Sequence, residues 1–454
     1  MIAASADVRG PDDEPAFVTA TAQPDEEPPA MTTVVMTGGR LDRDAGTPAR
    51  GAAAGPTGDP VVTLVRSRAD RTTFVRLPYT LYEGSRAWVA PLESELRRLL
   101  SPRRHPFLRR TTSALFLVRR SGAVLGRVAA IVNPDRARPG QFDGFFGFFE
   151  CAHDPRSAQA LMESAYAWLR AQGCMTVTGP MSPNLHHECG LLVDGFDDPP
   201  LLGMPYNLPY YPHLLSEAGG LQPVMDLLSW RADPRGKRAE LVQRLGEWSA
   251  GHLGVTMRGV DWRRFDDEVT VVRSLYSRCW DRNWGFAPMT RSEAVHMARQ
   301  LRSVAPEGIR IAEQEGVAVG FTIVMPDLNQ AIAAARGRLA RWGVPVGAWR
   351  LLRARQHLSR GRLMATGTLP DSAPGLGVVL FAEALREANR QGWKEVDISW
   401  MLEDNAAANA PLAAGGAELY KRHRLYARCL AHGHGCPCLA PPRESRTGPE
   451  HGTV

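Results

Sequence analysis

The sequence shows one order of strand and helix patterns, and that order occurs twice. Two strands flank the turn Ser121-Gly122 within 114–131, an amphipathic helix covers 155–173, and a strand follows at 175–180. A similar order returns later in the chain, at 308–326, 362–370, 374–392 and 393–402. Strands that alternate with helices of this length favour mixed sheets covered by helices. We therefore predict an α/β fold made of two similar halves.

Composition divides the chain into four parts. Residues 1–58 are rich in Ala, Gly, Pro and acidic residues and lack a periodic apolar pattern. Such a segment cannot bury enough apolar surface to offset the entropy lost on ordering. The end of the chain has the same character, and the pattern changes again near 231–237. We predict disordered tails at 1–58 and 436–454, an N-terminal domain at 59–230 and a C-terminal domain at 231–435.

Charge is distributed unevenly along the chain. The net charge is +6, but residues 1–59 contain ten acidic residues and four arginines, so the rest of the chain carries +12. A basic body attracts anions such as phosphorylated cofactors, nucleic acid or an anionic membrane. No stretch offers about 18 consecutive apolar positions for a membrane span, and no secretory signal opens the chain. Seven scattered cysteines fit a reducing compartment, so we expect a cytoplasmic protein.

A glycine-bearing turn separates the predicted strand at 362–370 from the helix that follows. Its sequence is Ser372-Ala373-Pro374-Gly375-Leu376-Gly377. Glycines at a helix N-terminus let a ligand approach the backbone closely, and the exposed N–H groups and the helix dipole bind phosphate. A plain tight turn is the alternative, because so short a pattern is a weak signal by itself.

The segments around this turn resemble the acyl-CoA-binding core of the GCN5-related N-acetyltransferase (GNAT) superfamily. In that superfamily a glycine-rich loop after a strand cradles the CoA pyrophosphate, and a later strand diverges from its neighbour to admit the pantetheine and the thioester. The resemblance assigns contacts with acyl-CoA to Ser372, Gly375, Leu376, Gly377, Asn405 and Asn409. Two positions depart from the pattern: Ser372 replaces a Gln or Arg, and Pro374 lacks an N–H group.

Several separated segments resemble one bacterial family within this superfamily. They are FDGFFGFFECAHD (142–154), the stretch 179–211 that ends in YNLPYY, WGFAPM (284–289), SWMLEDN (399–405) and GGAELYKRHRLY (415–426). That family includes the bacterial ceramide synthases, which join an acyl-CoA to the amine of a sphingoid base. The resemblance implies two tandem GNAT domains and an N-acyltransferase that takes acyl-CoA as co-substrate, a lipid-like amine as acceptor and no metal.

Amide formation from a thioester requires a deprotonated amine, a polarised carbonyl and a proton for the leaving thiolate. Carboxylates that could accept the proton of the amine are Glu188, Asp194, Glu403 and Asp404. Tyr420 and Tyr426 are candidate acids, and the place of Tyr426 after the last helix matches that of the family's tyrosine. Cys189 follows two histidines and suggests a nucleophile, but we expect it to be a packed, inert thiol.

The aromatic run at 142–149 is the densest in the chain. In a regular strand Phe146 and Phe148 would share one face, with Phe145 and Phe149 on the other. These side chains fit a sheet core or the apolar wall of an acyl-chain pocket.

The stretch 336–362 contains eight arginines and no acidic residue, with Trp342 and Trp349 between them. Basic, Trp-bearing segments suit the interface of an anionic membrane. We expect peripheral contact with the inner face of the membrane through this stretch. A solvated basic face is the plain alternative, and nucleic acid is not part of the leading interpretation because no recognised binding module accompanies the stretch.

Two rival functions remain at this point. Tandem domains of this fold also occur in peptidyltransferases that use aminoacyl-tRNA, and the basic body would suit tRNA. The other rival is a non-catalytic module that binds acyl-CoA or lipid.

Overall fold

A computed structural model describes residues 58–431, apart from 139–140, 336, 338 and 340–345. Residues 1–57 and 432–454 lie outside the described residues, so the predicted tails are not tested there.

The N-terminal half is a sheet with helices on both faces. Its strands are β1 (Val61–Leu64), β2 (Ser113–Arg120), β3 (Ala123–Val132), β4 (Gly144–Cys151), β5 (Thr176–Gly179), β6 (Met181–Ser182), β7 (Glu188–Cys189) and β8 (Leu191–Asp194). Strands β6 and β7 form a separate hairpin. The helices are α1 (Arg68–Leu81), α2 (Glu93–Leu99), α3 (Pro106–Arg109), α4 (Pro155–Ala171) and α5 (Tyr211–His213), the last continued by a π-helical turn at Leu214–Ala218. Helices α1–α3 pack on one face of the sheet and α4 on the other.

The C-terminal half repeats this plan. Its strands are β9 (Gln222–Ala232), β10 (Val255–Gly259), β11 (Ile309–Gln314), β12 (Val317–Pro326), β13 (Arg360–Thr368), β14 (Glu395–Leu402) and β15 (Glu418–Cys429). Its helices are α6 (Lys237–Leu253), α7 (Phe265–Trp280), α8 (Arg291–Val304), α9 (Asn329–Ala335), α10 (Val346–Ala354), α11 (Leu376–Arg390) and α12 (Ala406–Ala414). Helices α7 and α8 cover one face, and α6 and α11 pack together on the other.

Local sequence explains the repeated turns and crossovers. The turns Ser121-Gly122 and Glu315-Gly316 have positive φ at both residues, as tight hairpins between twisted strands require. The parallel pairs β4–β5 and β13–β14 are connected by α4 and α11, since parallel neighbours need a crossover. The predicted α/β fold, with mixed sheets flanked by helices, is confirmed.

Strands β9 and β15 join the two halves at the centre of the sheet. The strand order is β1-β2-β3-β4-β5-β15-β9-β14-β13-β12-β11-β10, and β8 also pairs with β15. The C-terminal strand β15 thus pairs with β5 of the N-terminal half, while β9 pairs with β14 of the C-terminal half. The predicted boundary at 230/231 falls inside β9, so this strand runs across it. The division into domains at that position stays a prediction.

The prediction of which phenylalanines share a face of β4 was wrong. Phe145 and Phe148 pack toward α1–α3, whereas Phe146 and Phe149 pack toward α4. The reason is a β-bulge: the pairing of β3 with β4 shifts register next to Phe148, which has a φ of +51°. One extra residue in a strand reverses the alternation of side chains beyond it.

Candidate active site

The strands β13 and β14 pair over four residues and then diverge. Their parallel register runs from Arg360 opposite Glu395 to Leu363 opposite Ile398, and no further pair joins them within the described residues. At the same point the pairing of β13 with β12 shifts register, which places a bulge at Met364. The divergence opens a cleft between two strands whose backbone groups beyond this point do not bond to each other.

The turn predicted to hold phosphate follows β13 and starts α11. Gly375 has a φ of +99°, which favours glycine, and an ideal Cβ on Gly377 would meet no atom within 4 Å. Gly377 is exposed, and its N–H group has no acceptor among the described residues. The Ser372 hydroxyl already has a hydrogen-bond partner, since it donates to the carbonyl of Val319 at 3.3 Å. The residues present therefore fit an approaching phosphate at Gly377 rather than at the Ser372 side chain.

The corresponding cleft of the N-terminal half is filled by its own chain. Strands β4 and β5 also diverge, after Phe145 and Thr178, but the β6 strand lies in the gap. The Ser182 hydroxyl accepts a hydrogen bond from the Phe148 N–H at 2.9 Å, and an ideal Cβ on Gly147 would lie 1.7 Å from the Met181 carbonyl oxygen. The open cleft of the C-terminal half is thus the candidate acyl-CoA site.

Glu188 lies on the hairpin that fills the N-terminal cleft, directly opposite Ser182. Its side chain keeps contact with solvent, although protein atoms crowd around the carboxyl group. Burial, with the like charge of Glu150, raises the pKa of Glu188 to about 7, against the attraction of Arg127 and Arg362. A carboxyl group with this pKa is suited to accept a proton at neutral pH.

A buried polar cluster occupies the point where β13 and β14 diverge. The Arg362 guanidinium donates to the Ser399 hydroxyl at 3.0 Å and to the Ser399 carbonyl at 3.2 Å. The Tyr420 hydroxyl donates to Asp397 at 2.6 Å, and Ser399 also donates to Asp397. Burial raises the pKa of Asp397, while the charge of Arg362 opposes that shift. Sequence reasoning did not single out this cluster, since it assigned Arg362 to a surface stretch.

A segment of the N-terminal half, residues 198–205, is held against this cluster by side chains of the C-terminal half. Arg362 donates to the Leu202 carbonyl at 2.9 Å, and Leu202 N–H donates to Asp327 at 3.2 Å. Lys421 donates to the Asp198 carbonyl at 2.6 Å. The side-chain amide of Asn329 donates to the Pro200 carbonyl at 2.9 Å. The apolar side chains of this segment pack on Tyr420 and Trp400. The 198–205 segment therefore forms a fixed wall beside the cleft.

Buried histidines hold the loop that precedes Glu188. The Nε2 atoms of His105 and His187 lie 3.0 Å apart, and His186 Nδ1 lies 2.9 Å from the Tyr276 hydroxyl. Burial lowers the pKa of His105 to about 4, so these rings are neutral near pH 7. Within the described residues, no group of three or more potential ligands is arranged for a metal ion.

The remaining predicted acids and amides have structural partners. The Glu403 carboxylate accepts the Asp226 N–H at 2.9 Å, and Asp404 is exposed. Asn405 caps α12 by accepting the Ala408 N–H at 3.1 Å. Asn409 accepts the Trp230 indole N–H at 3.0 Å and donates to the carbonyl groups of Leu402 and Asn405. These bonds fasten α12 to β14 and β9 and leave the Asn409 amide occupied.

Tyr426 and Cys189 lie in packed surroundings. Tyr426 belongs to the core of the N-terminal half, under α4, and burial raises its pKa. None of its described contacts is with β13, β14 or the 372–377 turn. Cys189 is buried, and burial raises the pKa of its thiol to about 12, so the thiol stays protonated. The structure brings Glu188 and Arg362 within electrostatic reach of each other but does not bring Tyr426 to them.

The Arg-rich stretch is only partly a surface feature. Arg360 pairs with buried Asp327 at 2.9 Å and Arg362 is buried, so neither faces outward. Helix α10 does lie at the surface, because Trp349 and Leu352 are 59% and 62% exposed beside the exposed Arg350 and Arg353. Within the described part of the chain, no helix has the length and apolar character needed to cross a bilayer.

Two curated bacterial proteins match most of the sequence, while no protein-family model matches it. Protein YghO of Escherichia coli (strain K12) is 32% identical over 377 residues, which cover 81% of this chain and 94% of that protein. A bacterial ceramide synthase of Caulobacter vibrioides is 32% identical over 375 residues, which cover 81% of this chain and 97% of that protein.

Solved structures share the fold at low sequence identity. The glucosamine N-acetyltransferase region of a fungal multi-domain β-N-acetylglucosaminidase aligns with a TM-score of 0.50 at 14% identity, over 82% of this chain and 38% of that one. A tandem GNAT protein from the clavulanic acid biosynthesis pathway aligns with a TM-score of 0.48 at 15% identity, over 82% of this chain and 99% of that one. The predicted GNAT fold is confirmed, and its order of elements occurs in both halves of the described chain.

We predict that Glu188→Gln stabilises the folded protein at pH 8. The folded state raises the pKa of Glu188 from 4.5 to about 7, so the unfolded chain loses this proton first as pH rises. Stability therefore falls from about pH 4.5 to about pH 7, and the variant escapes this loss. Urea denaturation between pH 4 and pH 8 measures the effect, with Asp404→Asn as an exposed-carboxylate control. An advantage that does not shrink toward pH 4 would contradict the assignment.

Proposed function

This chain belongs to the bacterial family that includes Protein YghO and the bacterial ceramide synthase, and we propose that it transfers an acyl group from acyl-CoA to the amine of a lipid-like acceptor such as a sphingoid base. It is an acyltransferase of GNAT fold. The observation that supports this most directly is the open divergence of β13 and β14, which leads to the exposed Gly377 at the start of α11. The name of the Caulobacter relative supports the choice of acceptor.

The donor occupies the C-terminal half in this proposal. The CoA pyrophosphate lies against the N-terminus of α11, where the N–H of Gly377 is free and no side chain intervenes. The pantetheine and thioester then extend between the diverging strands, toward the cluster of Arg362, Ser399 and Asp397. The N-terminal half takes no second CoA, because β6 fills its cleft and Asp154-Pro155 replaces glycines at the start of α4.

Glu188 is the proposed base. The acceptor binds at neutral pH as an ammonium ion, and its proton passes to the Glu188 carboxylate. The free amine attacks the thioester carbonyl, forms the C–N bond and produces a tetrahedral oxyanion. Collapse of that intermediate breaks the C–S bond, and Glu188 returns its proton to the departing thiolate. The regenerated carboxylate then takes the second proton from the nitrogen of the new amide and releases it to solvent. Arg362 acts as a positioning residue, since its hydrogen bonds join β14 to the 198–205 wall.

Gly377→Glu should abolish CoA binding and leave the fold intact. The new carboxylate would occupy the phosphate position with a like charge, while the open space around Gly377 accommodates a side chain. Isothermal titration with CoA measures the loss, which we expect to exceed about 100-fold in Kd, or about 3 kcal/mol. Gly251→Glu is the matched control, because that exposed helix glycine also has no atom within 4 Å of an ideal Cβ. Unchanged affinity in Gly377→Glu would remove the donor site from the proposal.

Glu188→Gln should lower the rate of N-acylation by about 100-fold to 10,000-fold and leave CoA affinity unchanged. In the native enzyme the rate should rise with pH up to about 7, as Glu188 ionises, and the variant should lose this dependence. The assay follows N-acylsphinganine formed from palmitoyl-CoA and sphinganine by mass spectrometry. Glu403→Gln is the control carboxylate, and equal losses in the two variants would contradict the role of Glu188. Turnover from aminoacyl-tRNA but not from acyl-CoA would favour the rival donor.

The acceptor is proposed to arrive from the inner face of the membrane, which α10 contacts from the cytoplasm. Helix α10 exposes two large apolar side chains next to two arginines, a pattern suited to an anionic lipid surface. The segment between β12 and β13, which carries α10, also reaches the site, because its Asp327 and Asn329 form hydrogen bonds with the 198–205 wall. A lipid amine near this helix would therefore be close to the elements that enclose the cleft.

Replacing Trp349 and Leu352 by serine should weaken binding to vesicles of anionic phospholipid by about tenfold. The change removes exposed apolar area from α10 and leaves its arginines. Vesicle co-sedimentation at low salt measures the effect. The matched control replaces Trp248 and Leu241 by serine, since these side chains are 65% and 58% exposed on α6, where acidic residues stand among the basic ones. Equal weakening in the control, or none in the α10 variant, would contradict the contact.

A further inference from the structure

The N-terminal half contains a cavity of about 370 Å³ that the proposed reaction does not use. It lies at the outer edge of the sheet, where β1 pairs with β2 only as far as Phe116 and leaves the start of β2 uncovered. Eleven of its fifteen lining residues are apolar. The cavity wraps around the sheet edge, with α1 and α3 on one face, α4 on the other and strands β1 to β4 between them. Pockets of about 300–1,000 Å³ hold small organic ligands, so this volume fits one hydrocarbon chain.

The charge of the lining selects the end group of such a chain. Arg71 is the one ionisable residue among the fifteen that line the cavity, so no carboxylate is present there. Its side chain is exposed, and the guanidinium donates to the Leu100 carbonyl at 3.3 Å beside the cavity. Within the described residues it has no acidic partner. A guanidinium of this kind attracts an anionic group and disfavours the ammonium group of an amine acceptor.

Phe148 is turned toward this cavity by an unusual backbone conformation. Its φ of +51° is rare for a bulky residue, because the left-handed conformation brings Cβ close to the following carbonyl oxygen. The β-bulge places its ring on the α1–α3 face, where it lines the cavity. Strained residues of this kind concentrate at ligand sites. The bond from the Phe148 N–H to Ser182 maintains this conformation next to the hairpin that carries Glu188.

We propose that this cavity binds a long-chain fatty acid, with the chain among the apolar side chains and the carboxylate at Arg71. The site is separate from the acyl-CoA cleft, which belongs to β13, β14 and α11. This inference does not depend on the proposed acyltransferase reaction, because it rests on the volume, lining and charge of the N-terminal cavity alone.

Trp168 lines the cavity and supplies a direct measurement. In the full-length protein, 9,10-dibromostearate should quench tryptophan fluorescence with saturation, because bromine quenches an indole that it contacts. Trp168→Phe should remove most of this quenching. Arg71→Glu should raise the Kd on the order of tenfold, through loss of the cation and repulsion of the carboxylate. Arg68→Glu is the matched control, since Arg68 is exposed on the same helix and does not line the cavity.

Competition identifies the ligand and the site. Palmitate should displace the brominated acid, whereas dodecylamine and free CoA should not. Displacement by CoA, or quenching that Trp168→Phe leaves unchanged, would place the fatty acid elsewhere and overturn the proposal. Equal effects of Arg71→Glu and Arg68→Glu would overturn the role of Arg71. A failure of CoA binding in Gly377→Glu would not affect these results, so the two proposals can fail separately.

Discussion

The pairing of β9 with β15 is the interaction on which the rest of the structure depends. Ten residues from Glu418 to Ala427 lie against Gln222–Arg231, while β15 also pairs with β5 of the N-terminal half and β9 also pairs with β14 of the C-terminal half. The long seam fixes the register between the halves, because a one-residue slip would reverse the faces of every side chain in it. It also carries Tyr420 and Lys421 to Asp397 and to the 198–205 wall. Residues of both halves therefore enclose the cleft.

The two halves have the same plan and use their divergent strands differently. In the N-terminal half the gap between β4 and β5 is closed by β6, which Ser182 ties to Phe148. In the C-terminal half the gap between β13 and β14 stays open and leads to glycines. The closed gap positions the hairpin of Glu188, so one half provides the proposed donor site and the other provides the proposed base. The two halves therefore share one plan but supply different parts of the proposed active site.

The features that the sequence predicted well are local. The helices expected at 155–173 and 374–392 occur at Pro155–Ala171 and Leu376–Arg390, because caps, glycines and periodicity mark them within a few residues. Long-range features were missed. The bulge at Phe148 depends on the Ser182 hydroxyl 34 residues away, and the burial of Arg362 depends on Ser399 and Leu202. The resemblance assigned Asn409 to acyl-CoA, and the sequence could not show that its amide is held by Trp230 on β9 and Leu402 at the end of β14, as well as by Asn405.

The central position of β15 has a consequence for synthesis of the chain. The N-terminal half emerges from the ribosome first, yet β5 in its sheet keeps an unpaired edge until residues 418–429 have also emerged. Strand β9 likewise has no partner until β14 and β15 have been made. Folding of either half during translation is therefore incomplete, since the contacts that finish it join residues about 160 to 250 positions apart. A chain that stops before Glu418 leaves two open sheet edges, which chaperones and proteases recognise, so only chains that reach β15 yield a stable product.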